Sequence, residues 1–172
     1  MLESLPIIDK EVPGLRVLLP VAETLDPVKI EGQIAVSPIE ITTIKGRFSL
    51  AVHACDLAVV SSGTASLQTG LALKPSIVIY RVAPLTYWIA RRLARIRHIG
   101  MVNVLAGREI VPQLLQNDFT PERTASTVIT LLKDEDARAR MTSHLKEIRS
   151  RLGEPGAYRR TAKILLDFIQ NT

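Results

Sequence analysis

The chain has 172 residues, of which 47% are apolar and 23% charged, with a formal net charge of +5 and one cysteine, Cys55. This fits one globular domain in a reducing compartment and excludes a disordered, collagenous or disulfide-stapled chain; no signal-peptide pattern, membrane span of roughly 18 apolar residues or zinc-spaced Cys/His group is present. The charge is uneven: no carboxylate lies between Asp56 and Glu109, a stretch that carries Lys74, Arg81, Arg91, Arg92, Arg95, Arg97 and Arg108, so a local cationic face for phosphate, anionic lipid or nucleic acid is expected.

In chain order, residues 2 to 10 read as a helix stopped by Pro13-Gly14, and Leu15 to Leu19 as a short strand ending at Pro20. Asp26-Pro27 starts a helix running to about Ser37, because Asp accepts from free amides and proline's fixed φ suits the first helical position. The β-branched run Ile39 to Ile44 predicts a strand closed by Lys45-Gly46. Phe48 to Ala54 suits a helix, Leu57 to Val60 a strand, Ala65 to Leu73 a helix and Ser76 to Tyr80 a strand. Uninterrupted apolar strands alternating with helices point to α/β architecture, a Rossmann-like doubly wound parallel sheet. Beyond Pro112 no strand is expected; segments 111–116, 121–133, 135–152 and 157–170 read as helices, punctuated by Thr120-Pro121 and Gly153-Glu-Pro-Gly156.

Three stretches carry chemistry. The first, Ser61 to Gly70 (SSGTASLQTG), follows an apolar strand. In a doubly wound sheet that position lies at the carboxyl edge, where a helix start offers free N–H groups to an anion. Ser62, Gly63 and Thr64 fit a phosphate cradle and equally fit a plain helix cap; they form neither a Walker loop nor GxGxxG. The second, Leu85 to Arg97, sets Leu85, Trp88, Ile89, Leu93 and Ile96 on one helical face and Arg91 and Arg95 on the other. It suits a helix lying in a membrane surface, or one packed on the sheet; nucleic acid fits less well, since only Tyr87 and Trp88 offer stacking rings. The third, Asn103 to Glu109 (NVLAGRE), reads as a loop contacting a base or sugar, or as a helix start with a surface ion pair. His53, His98 and His144 are scattered, and no nucleophile triad or carboxylate pair assigns a catalytic residue to this chain.

Taken in order, Ala54 to Leu67 (ACDLAVVSSGTASL), Ile79 to Arg81, Leu85 to Leu93 (LTYWIARRL), Asn103 to Glu109 and Val111 to Gln116 (VPQLLQ) resemble the lipid-A-disaccharide synthase family. Its usual forms are "ADLALVASGTATLE", a "YR" after the next strand, "TFWLAKRLVK" and "PNLLAGREVVPELLQ". The resemblance implies the C-terminal, donor-binding half of a GT-B glycosyltransferase, residues 1–172 forming one nucleotide-sugar domain without its first strand. That family moves diacylglucosamine from UDP-diacylglucosamine to lipid X, releasing UDP, with neither metal nor cofactor. By resemblance Ser62, Gly63 and Thr64 face the diphosphate, Asn103 lies in the nucleotide site, Arg81 reaches a phosphate, and Arg108, Glu109 and Gln116 line or support the site. Gln68 stands where the family has a glutamate for ribose, Val102 where it has proline, and Gln113 where it has glutamate. Trp88, Arg91, Arg92 and Arg95 then meet the inner-membrane surface from the cytoplasm. The LPGSR strand and the acceptor domain with the general base are expected on another chain or lost, leaving this chain inactive alone. The alternative is a non-catalytic UDP-sugar or lipid-binding subunit that completes a separate acceptor domain.

Overall fold

Five short apolar runs form strands, all paired in parallel. They are β1 (Val17–Val21), β2 (Ile41–Lys45), β3 (Ala58–Ser61), β4 (Ser76–Tyr80) and β5 (Gln113–Leu115). The computed structural model describes residues 1–61, 63–83, 98–154 and 156–170. Within these, the strands make two sheets, β1–β2 and β3–β4–β5. Val17 lies opposite Ile41, Ala58 opposite Ser76 and Val78 opposite Gln113. The expected α/β class with parallel strands is therefore found.

A 3-10 turn (Leu2–Ser4) and α1 (Leu5–Glu11) precede β1, while α2 (Pro27–Ile34), α3 (Phe48–Ala54) and α4 (Thr64–Leu71) connect the strands in turn. Past β4 come α5 (Met101–Ala106), then, after β5, α6 (Pro121–Lys133), α7 (Glu135–Arg151) and α8 (Ala157–Gln170). Their starts follow capping chemistry. Asp26 accepts the Val28 amide at 3.0 Å, Thr120 the Arg123 amide at 3.2 Å and Asp134 the Ala137 amide at 2.8 Å, with Pro27 and Pro121 in the first turns.

The core lies between the three-stranded sheet and two helix groups, α4 with α5 and α7, and α1 with α6. Ile77, Val78 and Val111 are fully buried, and Leu145 of α7 is 1% exposed among them. Gly70 lets α4 and α5 approach: a Cβ there would fall 2.4 Å from Val102 Cγ1. An exposed ion pair, Lys133 to Glu11 at 3.0 Å, ties α6 to α1, and its hydrogen bond draws the Glu11 carboxyl below the usual glutamate range. In helix α8 the side chains of Tyr158, Ile164, Leu165, Leu166, Phe168 and Ile169 are exposed.

Phe48–Ala54 and Ser76–Tyr80 have the bounds expected from sequence. Segment 111–116 does not form a helix; Gln113–Leu115 is an edge strand. Its leucines favour a helix, but a free β4 edge lies beside it and pairing prevails over a weak local preference. The stretch 103–109 is a helix through Ala106, closed by Gly107 at φ +67°, rather than a loop. Pro20 lies inside β1 rather than ending it.

Truncating Leu145 to Ala should cost about 2–5 kcal/mol, because the side chain is 1% exposed within the core and its removal leaves a cavity. Leu152→Ala, at a position 45% exposed, should change stability by about 0.5 kcal/mol or less. Urea unfolding of the purified chain reads both.

Candidate functional site

The carboxyl ends of β3, β4 and β5 bring Ser61, Tyr80 and Leu115 to one sheet edge. After β3 the chain turns through Gly63 at φ +111°, a conformation that a side chain would strain, and enters α4 directly. Among the described residues no side chain caps α4; the Ser66 amide bonds the Gly63 carbonyl at 3.1 Å, and the amides of Thr64 and Ala65 stand at the positive end of the helix dipole. Thr64 and Gln68 are both exposed and, one turn apart, share a helix face.

Ser66 joins this turn to the next helix. Its buried Oγ donates to the Gly63 carbonyl at 2.8 Å and accepts the Met101 amide at 3.1 Å, linking the starts of α4 and α5. Gln113 Oε1 accepts both the Ile99 and the Gly100 amides at 2.8 Å, and its Nε2 lies 3.3 Å from His98 Nδ1. Sequence reasoning did not single out Ser66, and it noted Gln113 only as a departure from a family pattern. A seryl at the third helical position after a glycine turn is the signal that was present.

The expected residues divide between two ends of the sheet. Gly63 and Thr64 share the carboxyl edge with Arg81 and Gln116. Arg81 lies with its guanidinium carbon 5.2 Å from the Phe119 ring centre and donates through Nη2 to the Phe119 and Gln116 carbonyls. Gln116 Oε1 accepts the Val82 amide at 3.3 Å, which ties the ends of β4 and β5. Arg108 and Glu109 instead precede β5, at the amino edge. Arg108 pairs with Glu147 at 3.7 Å, both exposed, and Glu109 lines an open groove of about 250 Å³ with Arg140, Met141 and His144. Lys74 also lies at the amino edge, donating to the Cys55 carbonyl at 2.9 Å. Of the acid-free stretch, Arg81 is the one described cation at the carboxyl edge.

Asn103 is fully buried and spends its side chain on the backbone. Oδ1 accepts the Ile110 and Val111 amides at 2.8 and 3.0 Å, and Nδ2 donates to the Val111 carbonyl at 2.8 Å. It holds the 107–112 turn against α5. Ser62 and the 85–97 segment with Trp88, Arg91, Arg92 and Arg95 lie outside the described residues. Burial pushes the Cys55 thiol up, and its Sγ donates to the Val52 carbonyl, so it offers no thiolate nucleophile. Among the described residues no group of His, Cys, Asp and Glu is arranged to hold a metal.

The family model described as "Lipid-A-disaccharide synthetase" matches residues 2–168. Curated proteins named lipid-A-disaccharide synthase are similar over most or nearly all of the chain. That of Anaeromyxobacter dehalogenans (strain 2CP-C) is 43% identical over 171 residues, covering 99% of this chain and 45% of the relative. That of Myxococcus xanthus (strain DK1622) is 40% identical over 169 residues, covering 98% and 44%. That of Pseudomonas syringae pv. tomato is 41% identical over 128 residues, covering 74% and 34%. The chain spans less than half the length of these relatives.

Asn103→Ala should strand three buried backbone groups and cost at least about 3 kcal/mol in urea unfolding. Arg108→Ala, breaking an exposed pair, should cost about 0–1 kcal/mol. An Asn103→Ala protein that unfolds like the parent would assign the residue to ligand contact instead.

Proposed function

The chain belongs to the lipid-A-disaccharide synthetase family, and from that premise we propose that it is the donor half of a glycosyltransferase, holding the UDP of a UDP-diacylglucosamine while the sugar passes to lipid X. The observation that carries this reading is the start of α4 behind the Gly63 turn, which no described side chain caps and which Ser66 ties to α5 at the sheet's carboxyl edge. As the glycosidic bond to phosphate breaks, negative charge grows on the leaving diphosphate. Fixed N–H dipoles aimed at that charge stabilise it most in the transition state and need no reorganisation. Gly63 lets the phosphates approach main chain, Ser62 and Thr64 add hydroxyl donors, and Arg81 offers a cation once it turns from the Phe119 and Gln116 carbonyls. Gln68, on the exposed face of α4, accepts a ribose hydroxyl; Gln116 fixes the floor between β4 and β5. Asn103 acts by holding the turn that follows α5, and Arg108 and Glu109 by supporting that turn.

The acceptor site and general base belong to the other half of the protein. Two observations favour such a partner: the relatives are more than twice as long as the stretch they share with this chain, and α8 carries the exposed apolar side chains of Ile164, Leu165 and Ile169. Among the described residues no helix is long and apolar enough to cross a membrane. Attachment to the inner-membrane surface is assigned to the 85–97 segment, whose Arg91, Arg92 and Arg95 match anionic headgroups around Trp88.

UDP titrated calorimetrically into the chain, assembled with the acceptor half of a relative, should bind at one site. Gly63→Val should weaken binding at least about tenfold by straining the turn and blocking main-chain approach. Gln68→Glu should tighten it by about fivefold, the gain of a charge-assisted over a neutral hydrogen bond. UDP affinity unmoved by Gly63→Val would overturn the reading, and sugar transfer by the chain alone would overturn its dependence on a partner.

A further inference from the structure

We propose that His98 and Gln113 form a latch that positions the Gly63 turn, with the His98 ring acting as an obligate hydrogen-bond acceptor through Nδ1. Both side chains are half-buried where the chain enters α5. Main chain settles which end of the Gln113 amide faces which partner. The Ile99 and Gly100 amides converge on one atom, each at 2.8 Å. Backbone N–H groups only donate, so that atom is the carbonyl oxygen Oε1; the reverse orientation would set an NH2 group against two N–H groups. Nε2 is then the atom that faces His98 Nδ1 at 3.3 Å, and Nε2 only donates. A ring nitrogen accepts only when it carries no proton. Nδ1 is therefore bare, the ring proton sits on His98 Nε2, and the doubly protonated ring does not fit this contact. Two backbone donors thus dictate the tautomer of the histidine beside them.

The latch reaches the site through main chain. Gly100 is buried, and a Cβ there would fall 2.9 Å from Val78 Cγ2, so this residue lies hard against β4 and has no side chain with which to hold itself. Its carbonyl accepts the Asn103 and Val104 amides, both at 3.0 Å, and so opens α5. The Met101 amide donates to Ser66 Oγ at 3.1 Å, and Ser66 Oγ donates to the Gly63 carbonyl at 2.8 Å. His98, Gln113, the 99–101 main chain, Ser66 and Gly63 therefore form one connected series.

Among the described residues no side chain caps α5, and six residues are too few to hold a helix by local preference alone. Gln113 fixes its start from β5, and His98 keeps Gln113 in place. Without an acceptor at Nδ1, the half-buried Nε2 would lose its partner, and the amide would gain by rotating toward water and releasing Ile99 and Gly100. His98 and Gln113 are positioning residues. They act on a ligand only through the turn, and their effect on UDP rests on the donor-half reading.

Amide hydrogen exchange and ring spectra of the 172-residue chain test the latch without nucleotide. His98→Leu removes the acceptor and keeps the bulk, whereas His98→Asn keeps an acceptor, because Asn Oδ1 stands as many bonds from the main chain as Nδ1. The amides of Ile99, Gly100 and Met101 should exchange about fivefold faster in His98→Leu, the weight of one neutral hydrogen bond, and as in the parent in His98→Asn. Ile77 and Val78 should stay protected in all three. Gln113→Glu still accepts both amides but puts a second oxygen where the Nε2 donor was. At one mildly alkaline pH, where a free imidazole is uncharged, proton–nitrogen correlation spectra should show the His98 proton on Nε2 in the parent and a proton on Nδ1 in Gln113→Glu. Unchanged exchange in His98→Leu, equal acceleration in the Leu and Asn variants, or a bare Nδ1 in Gln113→Glu each overturns the latch. If His98→Leu loses the Ile77 protection, the Gln113→Glu spectrum decides. UDP titrated into the chain assembled with the acceptor half of a relative should bind about threefold more weakly in His98→Leu, because the turn spends less time in its binding form. Equal UDP affinity alongside faster exchange overturns the positioning of the turn. A parent that binds no UDP counts against the donor-half reading and leaves the latch to the exchange and ring spectra.

Discussion

Ser66 holds the carboxyl edge of the β3–β5 sheet together with one buried hydroxyl. By donating to Gly63 and accepting from Met101, it fixes the turn after β3 against the start of the helix that leads to β5. Without it the two helix starts would be joined only by side-chain packing, and the outward amides of α4 would lose their fixed aim. The same device recurs around it. Gln113 gathers the two amides before α5, Asn103 closes the turn after it, and Gln116 spans from β5 to β4. Ser66 and Asn103 are buried and Gln113 and Gln116 half-buried, and the side chains of all four bond the main chain. A crevice lined by main-chain donors is stiff, and stiffness is what makes such donors effective against a developing charge.

Much of this architecture was legible in the sequence. The β-branched and aliphatic runs of β2, β3 and β4 and the helices from Phe48, Pro121, Glu135 and Ala157 follow from local chemistry, because periodicity and capping residues agree there. β5 was not legible: three residues bounded by a proline and a glutamine carry too little pattern, and an available edge decides their state. The charge signal was correct in composition and misleading in space, since Lys74 and Arg108 of the acid-free stretch lie at the opposite sheet edge from Arg81. Polar residues posed the same difficulty. In a sequence Asn103 looks the same whether it faces a base or a backbone turn, and only the fold shows its three bonds to Ile110 and Val111.

Among the described residues α8 exposes apolar side chains, and β1 and β3 each have one edge without a paired strand. Such surfaces are costly in water and prone to nonspecific pairing. Both occur in a chain that spans less than half the length of the curated relatives it matches.

The most direct test of the account is a backbone amide chemical-shift map of UDP binding to the chain assembled with its acceptor half. The account predicts that Gly63, Thr64, Ala65, Val82 and Gln116 move together while Glu109, Arg140 and His144 stay still. Shifts confined to the Glu109–His144 groove, with the Gly63 turn silent, would contradict it.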